Sequence, residues 1–220
     1  MRREWEYVML NYGLILVASV FLGSFVASYT DYILKRSVRV VNKRTIGVVV
    51  LHAMLWLLIV VTNGFSLTSF LYMAATSALL ALSLVDLEIY EIPPQFNVWI
   101  ALMGIVQLIS DKEHWYVYLI GAVLVSGIFF AIALITKGNG MGGGDIKLMA
   151  AAGLLLGWQK IFLVMLIGSV LGAVIHSIIM KVSKKEHMLA FGPYLSAATV
   201  LVMCFGEWII DWYIINFLTF

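Results

Sequence analysis

Two carboxylates sit where an otherwise apolar chain is interrupted. Asp86 closes an apolar run and is followed by Leu87-Glu88-Ile89-Tyr90-Glu91-Ile92-Pro93-Pro94. Asp145 stands within Gly138-Asn139-Gly140-Met141-Gly142-Gly143-Gly144-Asp145-Ile146-Lys147-Leu148, a glycine-rich stretch between two apolar segments. An ionisable group inside or at the edge of a membrane span is costly, so its default reading is functional. Pro93 and Pro94 stop one helix and can start the next. Asp86 is therefore expected at a helix end and Asp145 at a helix start. A helix start carries partial positive charge and free N–H groups; a helix end carries the opposite. These environments push the two acidities apart, Asp86 upward and Asp145 downward. Two acids held in different protonation states suit aspartic hydrolysis: one takes a proton from water and the other polarises the carbonyl. Carboxylates beside broken helices also suit a transporter, so the spacing leaves an enzyme and a transport scaffold both open.

The elements that must position these acids are membrane spans. Of 220 residues, 63% are hydrophobic and 12% charged, against about 45–50% and about 25% in soluble domains. A span needs roughly 20 mostly apolar residues. The pattern predicts an all-α polytopic bundle of about eight transmembrane helices. They fall near 7–29, 46–62, 65–85, 95–109, 115–136, 146–157, 161–180 and 188–210. The fourth and sixth are short and adjoin the two polar breaks, so these breaks are expected to face each other inside the bundle. No polar stretch is long enough for a soluble domain, and residues 1–220 read as one membrane-embedded domain. The first run is too long for a cleavable signal and reads as a retained span.

Orientation follows from Lys and Arg in short loops. Of the 14 basic residues, Lys35, Arg36, Arg39, Lys43, Arg44, Lys137, Lys147, Lys181, Lys184 and Lys185 fall on one side. Arg2, Arg3, Lys112 and Lys160 fall on the other. The first side is expected in the cytoplasm, and it also carries Asp86 and Asp145. The net charge of +2 is small, and no nucleic-acid partner is expected.

Other chemistries find little support. The single cysteine, Cys204, lies in an apolar run and offers neither a disulfide framework nor a zinc cluster. His52, His114, His176 and His187 are scattered, without His-Glu-x-x-His spacing. No Gly-x-Ser-x-Gly appears. Glu207 and Asp211 share a helix face but lie among Trp208, Trp212 and Tyr213 and read as interfacial. Glu88 and Glu91 make the loop after Asp86 acidic, which could attract a basic partner. Lys147, two residues after Asp145, could tune that acid or simply snorkel.

Gly140-Met141-Gly142-Gly143-Gly144-Asp145-Ile146-Lys147-Leu148 resembles the signature of the type IV prepilin peptidases, membrane aspartic proteases of the Gly-x-Gly-Asp type. Asp86, with Ile92 and Pro93 six and seven residues later, resembles their first motif. Phe191-Gly192-Pro193-Tyr194-Leu195 and Gly23-Ser24-Phe25 match further family elements. The resemblance implies that Asp86 and Asp145 are the catalytic pair, with Gly142, Gly144, Lys147, Gly192, Pro193 and Glu88 shaping the site or meeting substrate. It implies cleavage of a short basic leader from prepilins or pseudopilins, just before an apolar N-terminal helix, at the cytoplasmic face of a cell (inner or cytoplasmic) membrane. No cofactor is required for that step. Many relatives carry two zinc-binding Cys-x-x-Cys pairs between the first two spans and also methylate the new N-terminus. Here that interval, Thr30–Thr45, contains no cysteine, so a peptidase-only form is expected, with the bifunctional peptidase and N-methyltransferase as the alternative. The chain also has Pro94 where relatives usually have Asp or Asn. Oligomeric state is left open.

Overall fold

The apolar runs become helices in a computed structural model that describes residues 2–36, 42–138, 140–183 and 189–217. Arg39, Asn139, Lys184, Lys185, His187 and Met188 lie outside these residues, as do the side chains of residues 2–8 and 183. The elements are α1 (Arg2–Ile33), α2 (Lys43–Asn63), α3 (Leu67–Ile89), α4 (Pro94–Ser110), α5 (Trp115–Ile135), α6 (Gly143–Leu156), α7 (Trp158–Ser183) and α8 (Gly192–Phe217). Six of them are long and apolar enough to cross a membrane, and the chain is a multi-pass membrane protein. The other two are α4, with 17 residues, and α6, with 14. Both are shorter than the roughly 20 residues of a typical crossing.

Local chemistry sets the boundaries. Asn42 precedes α2 and its side chain accepts the Thr45 N–H at 2.8 Å; Ser66 does the same for Ser69 before α3. Each satisfies a donor that the first helical turn leaves free. Pro93 lies in extended backbone and Pro94 opens α4. Between α3 and α4, Tyr90 takes a left-handed conformation, φ 56°, where glycine or asparagine would be usual.

The two short helices pack against each other, and α5 packs closely on α6. Gly121 and Gly153 bring α5 and α6 backbone to backbone, and a Cβ on either would overlap the other's carbonyl. Small residues permit such approach in a bundle where water supplies no squeezing force. The most buried of the six crossing helices is α3, which touches α1, α2, α4 and α8. It carries Asp86 in its last turn, so this acid stands on the best-braced element of the fold.

Candidate active site

Asp86 and Asp145 open into one cavity of about 260 Å³, walled also by Tyr90, Glu91, Ile92, Gly142, Gly143 and Gly144. The two acids come from different helices, 59 residues apart in sequence, and meet because α6 lies along α4 and α4 turns back from the end of α3. A wider cavity of about 960 Å³ lies between α1, α3 and α4. Its wall holds no acid and no base, whereas Asp86 and Asp145 both line the smaller one.

Asp86 is 5% exposed. Its Oδ2 accepts the backbone N–H of Gly192 at 2.9 Å. Gly192 is the first residue of α8, so the start of a third helix points its free N–H at this carboxylate. Helix-end position alone argued against a carboxylate at Asp86; α8, arriving from 106 residues away, supplies the missing donor. Pro193 follows in the first turn of α8, where its lack of an N–H costs nothing.

Asp145 stands in the first turn of α6, outside the six long helices. Its Oδ1 is buried without a hydrogen-bond partner among the described residues. Burial first, and then the neighbouring charge of Asp86, push its carboxyl up to about 7, while the Gly142 N–H pulls it partly back. The helix-start argument anticipated a downward shift. The donor it relies on is present, but desolvation and like charge outweigh it.

The glycines are tight fits. A Cβ on Gly142 would lie 2.8 Å from Asp145 Oδ2, and one on Gly144 would lie 2.9 Å from Ile92 Cβ. Lys147 is exposed and is not part of the cavity wall. Glu88 is not part of it either. Its carboxylate pairs with Arg36 at 2.8 Å and with Arg44 at 3.3 Å. Glu91, rather than Glu88, contributes acidity to the cavity.

Sequence reasoning passed over Asp31 and Asn97 as site-supporting residues. Asn97 is 5% exposed and its side-chain amide donates to the Gly144 carbonyl at 3.3 Å. Asp31 is 4% exposed and pairs with Arg44, which also reaches Glu88. This network ties the end of α1 and the start of α2 to the last turn of α3, two residues beyond Asp86. The signal for Asp31 was an acid following an apolar run with arginines nearby, but no local pattern names its partner. Arg44→Met is expected to lower stability by about 3 kcal/mol, because it strands a buried carboxylate. Adding Asp31→Asn should recover most of that loss. Thermal unfolding of the two variants against wild type checks this.

The remaining acid pair of the sequence, Glu207 and Asp211, does not line the cavity. Glu207 binds Lys160 at 2.8 Å, and Lys160 also reaches the Tyr72 hydroxyl at 3.4 Å. Asp211 is exposed. Among the described residues, no group of three or more His, Cys, Asp or Glu side chains is placed to hold a metal ion.

Residues 73–177 match the sequence model of the type IV leader peptidase family. The chain is 33% identical over 161 residues to a prepilin leader peptidase/N-methyltransferase of Legionella pneumophila, covering 69% of this chain and 55% of that one. It is 33% identical over 156 residues to the protein of the same name from Bacillus subtilis, covering 69% and 62%. For the Aeromonas hydrophila protein the figures are 32% over 150 residues, 65% and 52%. The chain thus spans about half the length of the curated relatives it matches. No solved structure matches.

Proposed function

We propose, from the premise that this chain belongs to the type IV leader peptidase family, that it is a membrane aspartic endopeptidase removing leaders from prepilins or pseudopilins. The observation that carries this is the shared cavity of Asp86 and Asp145. Asp86, with Oδ2 on the Gly192 N–H, acts as the base that takes a proton from the attacking water. Asp145, holding its proton near neutral pH, donates a hydrogen bond to the scissile carbonyl and stabilises the oxyanion. As the tetrahedral intermediate collapses, the proton on Asp86 passes to the leaving amine and the dyad is restored. No cofactor enters this sequence. Gly142, Gly143 and Gly144 leave room for an extended substrate backbone beside Asp145. The excess of Lys and Arg in the loops on this side supports a cytoplasmic face, and Glu91 would favour a basic leader. The cysteine-free interval between α1 and α2 supports cleavage without N-methylation.

The test is co-expression with a prepilin of Aeromonas hydrophila, followed by mass spectrometry of the pilin N-terminus. The expected product lacks the leader and carries no methyl increment. An uncut prepilin would overturn the reading, and a methylated product would replace it with the bifunctional one. In membranes, the cleavage rate should fall as pH rises through about 7, where Asp145 loses its proton, and should also fall in acid once Asp86 is protonated. A rate still climbing well above pH 8 would contradict Asp145 as the proton holder.

A further inference from the structure

We infer that Asn97 is a positioning residue for the acid pair, setting Asp145 against Asp86 through the Gly144 carbonyl; this rests on the proposed peptidase function. Asn97 lies at the end of the first turn of α4, immediately after the corner that leads out of the Asp86 turn. Its side-chain amide crosses to the Gly144 carbonyl, one residue before Asp145. The same α3–α4 corner also presses Ile92 on Gly144 so closely that a Cβ there would meet it at 2.9 Å. One polar strut and one apolar stop therefore fix the start of α6 relative to the corner that begins at Asp86.

Two further observations separate this from ordinary packing. Asn97 does not line the cavity, so it acts on substrate only through the backbone it holds. Its Oδ1 is buried with no hydrogen-bond partner among the described residues. A buried polar atom left unpaired destabilises a fold. An apolar side chain of similar size would fill the space without that cost; what it could not supply is the donor to Gly144.

The test compares Asn97→Leu, Asn97→Gln and wild type in membranes, with a prepilin of Aeromonas hydrophila as substrate. Asn97→Leu keeps the bulk and loses the donor. It is expected to lower kcat by about 10²-fold, the size of effect that a misplaced reacting group produces, with KM within twofold. The alkaline limb of its pH profile should move to lower pH, because Asp145 no longer sits as firmly beside the Asp86 charge. Asn97→Gln keeps an amide on a longer arm and should recover part of kcat. If Asn97→Leu does not accumulate in membranes, Asn97→Ser carries the test. It is small enough to fit, too short to reach Gly144, and should show the same loss of kcat. Wild-type kcat and pH profile in the Leu or Ser variant would overturn this inference alone. A wild-type chain that leaves the prepilin whole would overturn the peptidase reading, and this inference with it.

Discussion

Asp86→Asn and Asp145→Asn, made singly, are each expected to lower leader cleavage by about 10²- to 10⁴-fold, the loss that follows removal of a positioned general acid or base. Asparagine keeps the shape of aspartate and removes its proton chemistry. At position 86 it can still offer an oxygen to the Gly192 N–H, which is the hydrogen bond observed for Asp86 Oδ2. At position 145 it introduces no bulk beside Gly142, where space is short. Both variants should therefore insert and fold, and thermal unfolding should resemble wild type. The informative control is Asp211→Asn. That acid belongs to the other candidate pair in the sequence, is exposed, and lies on α8 far from the cavity. It should cleave at the wild-type rate. Full activity in either cavity variant would sink the assignment, because neither remaining carboxylate could then be one half of an obligate pair.

The membrane spans were legible because lipid imposes a simple local code of apolar length and interrupted polarity. The fifth run was expected at 115–136 and forms Trp115–Ile135. The two short runs were expected to face each other, and α4 does pack on α6. Asp86 and Asp145 stood out because each broke that code beside glycine or proline. What stayed hidden was the meeting of elements distant in sequence. Gly192 was marked only by resemblance, and its neighbours do not announce that the start of α8 ends at Asp86. Glu207 reads as interfacial from its aromatic neighbours and is exposed, but those neighbours do not name its partner, Lys160 on α7. The sequence leaves Glu88 free to meet a basic partner, yet arginines from either end of the α1–α2 interval already hold it. In each case apolar periodicity says that a helix exists but not which polar group another helix brings to it. The acidity of Asp145 failed to follow its local setting for the same reason. The helix start was readable, but the burial and the opposing charge come from the assembled bundle.

Gly192→Ala should also produce a large loss, and it tests whether the Asp86 hydrogen bond or the carboxylate alone matters. A Cβ at position 192 would lie 2.7 Å from Asp86 Oδ2, 3.3 Å from Asp86 Cγ and 3.2 Å from Ile92 Cδ1. The first distance is too short to keep, so either the carboxylate turns off the N–H or the start of α8 withdraws from it. Both outcomes leave Asp86 intact as an acid and displaced as a base. A displacement of this kind costs about 10²-fold in rate, so kcat should fall by that order. Gly47→Ala separates the local effect from the general one. Gly47 lies within α2 with nothing near its Cβ position, so alanine there should leave cleavage unchanged and stabilise by about 0.5–1 kcal/mol through backbone entropy. If Gly192→Ala instead cleaved at the wild-type rate while folding normally, the Gly192 N–H would be dispensable, and Asp86 would need another donor to hold it. If it lost activity with an unchanged unfolding temperature, the loss would lie in the placement of one carboxylate. The start of α8 would then belong to the catalytic apparatus as much as the helices that carry the acids.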